Sequence, residues 1–191
     1  MLNRLTPPFA ALFFASALST GQAQPVADPV DVGSIEAIIR ASYEVVSGPA
    51  GAPRDWRRDS TLYAPNAVFT ALNEVEGKPI ATTVTADEYR RMVNGRLVAN
   101  GFFEREVGAR IERFGNVAIV RSVYELRRSA DGPVHQRGVN YFTLYFDGSR
   151  WWITSMVWDQ ERPRNPLPKT WTGKTERVNM PQPPNQSRPK R

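Results

Sequence analysis

The sequence contains no cysteine and a single histidine, His135. No disulfide can therefore stabilise the fold, and no cysteine is available to carry a lipid. Zinc sites are built mainly from Cys and His side chains, so this composition disfavours one, and we predict neither a metal nor another cofactor. Glycine-rich phosphate loops, nucleophile elbows and paired-histidine motifs are also absent, which disfavours the enzyme classes that depend on them. The lone histidine lies beside a predicted turn and is expected at the surface.

Long hydrophobic runs are missing as well. The longest, Pro8 to Leu18, is about half of the ~20 residues that a membrane span requires. It follows one positive charge, Arg4, and precedes a small, polar stretch that ends at Ala23. This is the pattern of a secretory signal, which predicts cleavage near Ala23 and an exported chain, periplasmic or secreted, without a stable membrane anchor. A retained amino-terminal anchor is the alternative.

Acidic residues are scarce at the carboxyl end, where residues 163–191 hold seven of the 25 basic residues and one of the 19 acidic ones. The rest of the chain is left with 18 of each and no net charge, so we predict no nucleic-acid partner. Seven of the 16 prolines lie in the same segment, which predicts a disordered basic tail. A solubilising extension is favoured over contact with anionic lipid or an acidic partner. The predicted organisation is a signal at 1–23, a linker at 24–32, one domain at 33–162 and the tail at 163–191.

Three helices are predicted in the amino-terminal half of the domain. Ser34 is a predicted helix cap, followed by apolar residues at three-to-four spacing until a Gly-Pro pair ends the helix. A short helix is expected to begin at Asp55 and to end at Pro65. Thr85 and Glu88 have the spacing of a capping box, which predicts the start of a third helix.

Strands are predicted between the second and third helices, at 67–72 and 80–84, and then throughout the carboxyl-terminal half. Three turn dipeptides recur every 16 residues, each between strand-like runs: Gly115-Asn116, Asp131-Gly132 and Asp147-Gly148. They indicate a meander of four antiparallel strands. Gly108 and Gly138 lie inside these long strands, where a glycine often marks a bulge that bends the sheet. The predicted fold is α+β and cone-shaped, with three helices on the concave side of a strongly curved, mainly antiparallel sheet.

Several segments carry a resemblance: LYAPNAVF after the short helix, FFEREVGARIERFGNVAIVRSVYEL and GSRWWITSMVWDQE. With the order of the helices, they resemble the SnoaL-like branch of the nuclear transport factor 2-like (NTF2-like) superfamily over residues 33–162. The resemblance implies the cone-shaped fold, but the superfamily includes dehydratases, isomerases, cyclases and binding modules, so it does not choose a function. Enzymes of the superfamily tend to use an Asp, often with His or Tyr, inside the cone. That implies three catalytic candidates: Asp59, Tyr63 and Asp159.

Counting outward from two-residue turns sorts the strand side chains onto two faces. One face is mainly apolar and carries four polar residues that we predict to bind a ligand: Arg110, Arg121, Asn140 and Ser155. Because buried polar groups need partners, the alternative is that Arg121 forms an ion pair with Glu106, Glu125 or Asp159. The other face is amphipathic and is a predicted homodimer surface. Its large aromatic residues are Tyr124, Tyr141, Tyr145, Trp152 and Trp158.

Three functions remain open on this sequence. The favoured one is an exported pocket protein that binds a small hydrophobic or amphipathic molecule with a polar or anionic group. The second is an isomerase, dehydratase or cyclase whose general base is a carboxylate with a raised pKa inside the cone. The third is a dimeric interaction module.

Overall fold

The computed structural model describes residues 25–179, so the predicted signal at 1–23 and the last part of the predicted tail lie outside the described residues. The elements in that range, in chain order, are α1 (Pro29–Val32), α2 (Ile35–Val46), α3 (Trp56–Ser60), β1 (Tyr63–Val75), β2 (Lys78–Thr85), α4 (Ala86–Asn100), β3 (Phe103–Phe114), β4 (Val117–Arg127), β5 (Gln136–Phe146), β6 (Trp151–Gln160), a 3₁₀ helix (Lys169–Trp171) and β7 (Thr175–Asn179). No helix among them combines the length and the apolar character that a membrane span would need.

Helices α2 and α4 begin where the sequence predicts. The Ser34 hydroxyl accepts a hydrogen bond from the Ala37 amide at 3.1 Å, which satisfies one of the free donors at the start of α2. At the start of α4, Thr85 and Glu88 form the predicted capping box, with the Glu88 carboxylate accepting from the Thr85 amide at 2.8 Å. Both helices are therefore fixed at their first turn by their own sequence.

Helix α3 is shorter than predicted because the chain enters β1 at Tyr63, and Pro65 lies inside that strand. The pairing of β1 with β6 is irregular between Tyr63 and Val68. A proline is tolerated at such an irregularity, where no ladder hydrogen bond is required of its nitrogen.

The seven strands form one sheet in the order β2-β1-β6-β5-β4-β3-β7. β1 runs parallel to β6 and β3 runs parallel to β7, whereas the other neighbours are antiparallel. The predicted fold class is confirmed: helices pack on one side of a curved, mainly antiparallel sheet. The core between them includes Ile38, Leu62, Val120, Phe142, Leu144 and Ile153, all at most 1% exposed.

The connection between β4 and β5 corrects the predicted faces of β3 and β4. Instead of a two-residue turn at 131–132, residues 128–135 form a longer loop between the strands. Arg121 therefore pairs with Tyr141, one residue away from the partner expected from a two-residue turn. A shift of one residue turns a strand's side chains to the opposite face, and Arg110, which pairs with Arg121, moves to the outer face with it.

A bulge in β6 produces the second correction. Leu144 pairs with Ile153, but Thr143 pairs with Ser155, so one residue of β6 is left over between them. Ser155 consequently lies on the outer face with Thr143. The inner face carries Trp158, which pairs with Asn140 and packs against the core.

Residues 163–179, here called the C-terminal strap, belong to the segment predicted to be a disordered tail, yet they contain a 3₁₀ helix and a strand that pairs with the sheet. β7 pairs with β3, the Gly173 amide donates to the Val107 carbonyl at 2.7 Å, and Arg177 pairs with Glu36 of α2 at 2.7 Å. The guanidinium of Arg121 stacks 3.7 Å from the centre of the Trp171 ring. The five residues of β7 include no proline, so they can pair with the open edge of β3.

Replacing Gly108 with Ala is expected to lift the strap from β3. A Cβ at this position would lie 2.1 Å from the Trp171 carbonyl oxygen, a distance that only displacement of the strap can relieve. Trypsin should then cleave after Lys169 and Lys174 about tenfold faster than in the wild type, because local opening governs cleavage. Gly95→Ala is the matched control, since nothing lies within 4 Å of the added methyl. Equal cleavage rates in all three proteins would contradict the prediction.

Candidate functional site

A cavity of about 200 Å³ lies between the concave face of the sheet and helices α2, α3 and α4. Eight of its 20 lining residues are aromatic, and their rings come from seven different elements or loops. They are Tyr43, Tyr63, Phe69, Tyr89, Phe102, Tyr124, Phe142 and Trp158. Several meet edge to face, including Phe69 with Tyr89 at 4.9 Å and Tyr89 with Trp158 at 5.7 Å between ring centres. Such packing gives a stiff aromatic wall for a small molecule, and polar side chains complete the lining.

Glu104 on β3 places a carboxyl group on this aromatic wall. The backbone of Glu104 is held by Ser47, whose hydroxyl accepts from the Glu104 amide at 3.0 Å. Among the described residues, no hydrogen bond to the Glu104 carboxyl is found, and burial raises its pKa to about 8. The group is therefore mostly protonated at neutral pH and able to donate a proton into the cavity.

Asp59, at the end of α3, lines the same cavity and is 3% exposed. Burial raises the pKa of Asp59 to about 6, even though the Arg90 guanidinium beside it favours the charged form. The Arg90 Nε donates to Asp59 Oδ2 at 2.5 Å. No described residue donates to Oδ1, so this oxygen is available to accept a proton. Arg90 also lies 5.8 Å from the centre of the ring of Tyr63, another residue that lines the cavity.

A chain of hydrogen bonds leads from the cavity wall to Glu106. The Asn140 amide donates to the Tyr43 hydroxyl at 3.0 Å, and that hydroxyl lies 2.7 Å from Ser122 Oγ. Ser122 Oγ in turn donates to Glu106 Oε2 at 2.5 Å. Because Ser122 uses its only proton on Glu106, the Tyr43 hydroxyl must donate to Ser122. The chain fixes the Tyr43 ring, and burial raises the pKa of both Tyr43 and Glu106.

No family model and no curated protein matches the chain. Several solved structures match the chain. An NTF2-like protein of unknown function from Methylobacillus flagellatus KT is 16% identical, with 68% of this chain and 95% of that one covered, at a TM-score of 0.45. A candidate ketosteroid isomerase from Parabacteroides distasonis is 14% identical, with 74% and 98% covered, at a TM-score of 0.46. A candidate aromatic ring hydroxylase from Novosphingobium aromaticivorans is 17% identical, with 68% and 87% covered, at a TM-score of 0.45.

The chain resembles NTF2-like proteins in fold. The resemblance predicted from the sequence is confirmed at that level. Identities this low describe the fold alone and leave the substrate open.

Within this NTF2-like fold, three of the predicted site residues line the cavity: Asp59, Tyr63 and Asn140. Four others do not. Arg110, Arg121 and Ser155 lie on the outer face for the reasons of register given above and do not line this cavity, so the expected concave-face location is wrong, while ligand binding by these residues stays a prediction. Asp159 pairs with Arg162 at 2.5 Å, outside the cavity. His135 is exposed, as predicted.

The predicted dimer surface is also divided between the two faces of the sheet. Tyr124 is 2% exposed in the core, and Trp158 packs against the core from the inner face. Tyr141, Tyr145 and Trp152 remain on the outer face. Dimer formation through these three residues stays a prediction.

Sequence reasoning missed Glu104 because its face depends on a bulge. The pairing of β3 with β4 shifts between Glu106 and Gly108, as the glycine in the strand allowed. Without knowing where the extra residue lies, the inward side of residues 103–107 could not be assigned. Within residues 25–179, no group of three or more acidic, His or Cys side chains is placed to hold a metal ion.

Proposed function

We propose that this chain binds a small hydrophobic molecule in the cavity and moves a proton on it, with Asp59 as general base and Glu104 as general acid. The observation that carries the proposal is the Glu104 carboxyl, which lines an aromatic cavity without a hydrogen-bond partner among the described residues. Glu104 is half-buried, and a carboxyl group that borders a cavity without a protein partner is free to contact an atom of a bound ligand.

The two carboxyl groups support opposite roles. With a pKa of about 6, Asp59 is mostly ionised at pH 7, whereas Glu104, with a pKa of about 8, is mostly protonated. Two titratable groups whose pKa values are separated by their surroundings form an acid and base pair in one site. The window in which both are in the required state lies between about pH 6 and pH 8.

The proposed step begins with Asp59 Oδ1 taking a proton from a carbon atom of the ligand. The electron pair of that C–H bond moves toward an adjacent electron-withdrawing group, and Glu104 gives its proton to the atom that gains charge. One proton enters the protein and one leaves it, so no oxidant, reductant or cofactor is consumed. Isomerases and dehydratases use such steps, which general acid–base groups accelerate by about 10²–10⁴-fold.

We propose that this activity is exported, because residues 1–23 have the pattern of a secretory signal. A binding protein without catalysis is the second candidate. The small size and aromatic wall of the cavity favour binding by themselves, and they do not depend on proton transfer.

The catalytic proposal is tested with nitrobenzisoxazole, a flat bicyclic carbon acid. Removal of its ring C–H proton breaks its N–O bond and releases a coloured phenolate, whose absorbance gives the rate. We expect a bell-shaped profile of kcat/KM with limbs near pH 6 and pH 8, because Asp59 must be ionised and Glu104 protonated. Asp59→Asn should reduce the rate about 100-fold, and Glu104→Gln should abolish the alkaline limb.

Asp87→Asn is the matched control for Asp59→Asn. Asp87 also pairs with Arg90, but it is exposed and does not line the cavity, so this variant should keep the wild-type rate. Thermal unfolding of each variant separates loss of the fold from loss of catalysis. A rate in the Asp59→Asn, Glu104→Gln double variant equal to that of the wild type would overturn the catalytic proposal.

A further inference from the structure

Two arginines lie at the rim of the cavity. Arg96 is near the end of α4 and Arg128 directly follows β4, and both line the cavity while remaining exposed to solvent. Among residues 25–179, neither forms an ion pair. Arg128 Nη2 lies 3.1 Å from His135 Nε2.

The acidic groups near this rim leave its positive charge uncompensated. Asp59 already pairs with Arg90 inside the cavity, and the uncharged form of Glu104 dominates at neutral pH. Glu125, at the same end of the sheet, is shared by Arg105, Arg127 and Arg137 on the outer side. Asp131, in the loop after Arg128, forms no ion pair with either rim arginine. A cleft lined by charges of one sign concentrates ligands of the opposite sign.

We propose that the ligand of this cavity is a small aromatic or alicyclic carboxylate, whose ring lies among the aromatic side chains and whose carboxylate is bound by Arg96 and Arg128. The proposal rests on the binding function proposed above and specifies its ligand class. A cavity of about 200 Å³ has room for a single ring with a short side chain. The two guanidinium groups suit the carboxylate end of such a ligand, because their planar fork of donors matches the two oxygens of a carboxylate.

The small size of the cavity and the rim position of the two arginines together favour one orientation of the ligand. A charged group deep among the rings would lose its hydration without a cationic partner, because Arg90 is already engaged by Asp59. At the rim, the carboxylate keeps part of its hydration and contacts both arginines. The structure therefore favours an amphipathic acid that enters ring first.

The test compares cinnamate with cinnamamide, which has the same ring and length but no charge. Binding is followed by calorimetry and by the change in tryptophan fluorescence, to which Trp158 in the cavity wall contributes. At neutral pH and low salt, cinnamate should bind at least tenfold more tightly than cinnamamide, and the difference should shrink as salt is added. The Arg96→Gln, Arg128→Gln double variant should bind both compounds equally.

The matched control is the Arg57→Gln, Arg91→Gln double variant, which should keep the preference of the wild type for cinnamate. Both residues are exposed, form no ion pair among the described residues and do not line the cavity.

Each outcome decides the proposal. Equal affinities of the wild type for the two compounds, or a cinnamate preference that survives in the double variant, would overturn it. The same holds if neither compound binds at millimolar concentration. These results are distinguishable from failure of the catalytic proposal, because nitrobenzisoxazole is uncharged and its conversion does not require the rim arginines.

Discussion

Replacing Glu104 with Gln is expected to stabilise the protein at pH 8 by up to about 5 kcal/mol and to change little at pH 4. The ordinary pKa of this side chain is 4.5, and burial in the folded protein raises it to about 8. Gln has nearly the same shape and no charge at any pH. The variant therefore removes the cost of ionising a buried carboxyl while keeping the cavity wall intact.

The sign of the effect follows from proton binding. Between pH 4.5 and pH 8, the unfolded chain has released the Glu104 proton while the folded chain still holds it. The contribution of this group to stability is fully present below pH 4.5 and is lost as the pH rises toward 8. Asp31 and Glu125 act in the opposite direction: Arg58 lowers the pKa of Asp31, and three arginines lower that of Glu125, so both stabilise the fold above acidic pH.

Urea unfolding from pH 4 to pH 9 measures the difference between wild type and Glu104→Gln, in which the contributions of Asp31 and Glu125 cancel. Glu76→Gln, at the turn between β1 and β2, is the control, because Glu76 is exposed and forms no ion pair in the described chain. Its curve should run parallel to that of the wild type. A constant difference between wild type and Glu104→Gln across the pH range would contradict a raised pKa and weaken the proposed role of Glu104 as an acid.

The starts of α2 and α4 and the meander from β3 to β6 were predictable because their signals are local, whereas α1 lies in the predicted linker and the parallel pairing of β1 with β6 was not predicted. The cap at Ser34 and the capping box at Thr85 need only neighbouring residues, and both hold in the structure. The turn at Gly115-Asn116 joins β3 and β4 with two residues, as the dipeptide indicates. Asp59 and Tyr63 were predicted on one side of a short helix; Tyr63 instead begins β1, but both residues line the cavity.

The faces of the strands were less predictable because a single extra residue reverses them. The dipeptide Asp131-Gly132 lies inside an eight-residue loop at 128–135, so counting from it turned Arg121 the wrong way. Bulges in β3 and β6 had the same effect on Glu104 and Ser155. Nothing in the composition of a strand fixes the place of a bulge, which depends on packing across the sheet.

The ordered structure of the strap could not be predicted from the sequence for a related reason. Its prolines and positive charge are typical of disorder, but the five residues of β7 lack proline and find an open strand edge in β3. Trp171 stacks on Arg121, so the residue predicted to bind a ligand is occupied by the chain itself. The pairing joins residues that are far apart in sequence, and local patterns carry no information about it.

Arg54 is a charged residue with a structural role, and no sequence pattern indicated it. Its side chain is 6% exposed, yet no carboxylate pairs with it among the described residues. Instead, its guanidinium donates to the carbonyls of Gly48 at 2.8 Å, Ala52 at 2.7 Å and Leu97 at 2.7 Å. Leu97 lies near the carboxyl end of α4, where the helix dipole favours a cation. Arg54 thus joins the loop after α2 to the helix that supplies Tyr89, Arg96 and Leu97 to the cavity.

Replacing Arg54 with Met should lower the free energy of unfolding by about 3 kcal/mol or more, because the buried Leu97 carbonyl and the half-buried carbonyls of Gly48 and Ala52 lose a charged donor. Arg57→Met is the matched control: Arg57 is exposed, forms no ion pair in the described part of the chain, and should change stability by less than about 0.5 kcal/mol. Urea unfolding at pH 7 measures both. A loss of stability for Arg54→Met no larger than that of the control would mean that the loop and α4 are held by packing alone.

The Arg54→Met variant should also weaken cinnamate binding, because α4 contributes to the cavity wall and carries one rim arginine. A destabilised protein with unchanged affinity for cinnamate would show that the cavity does not depend on the hydrogen bonds of Arg54.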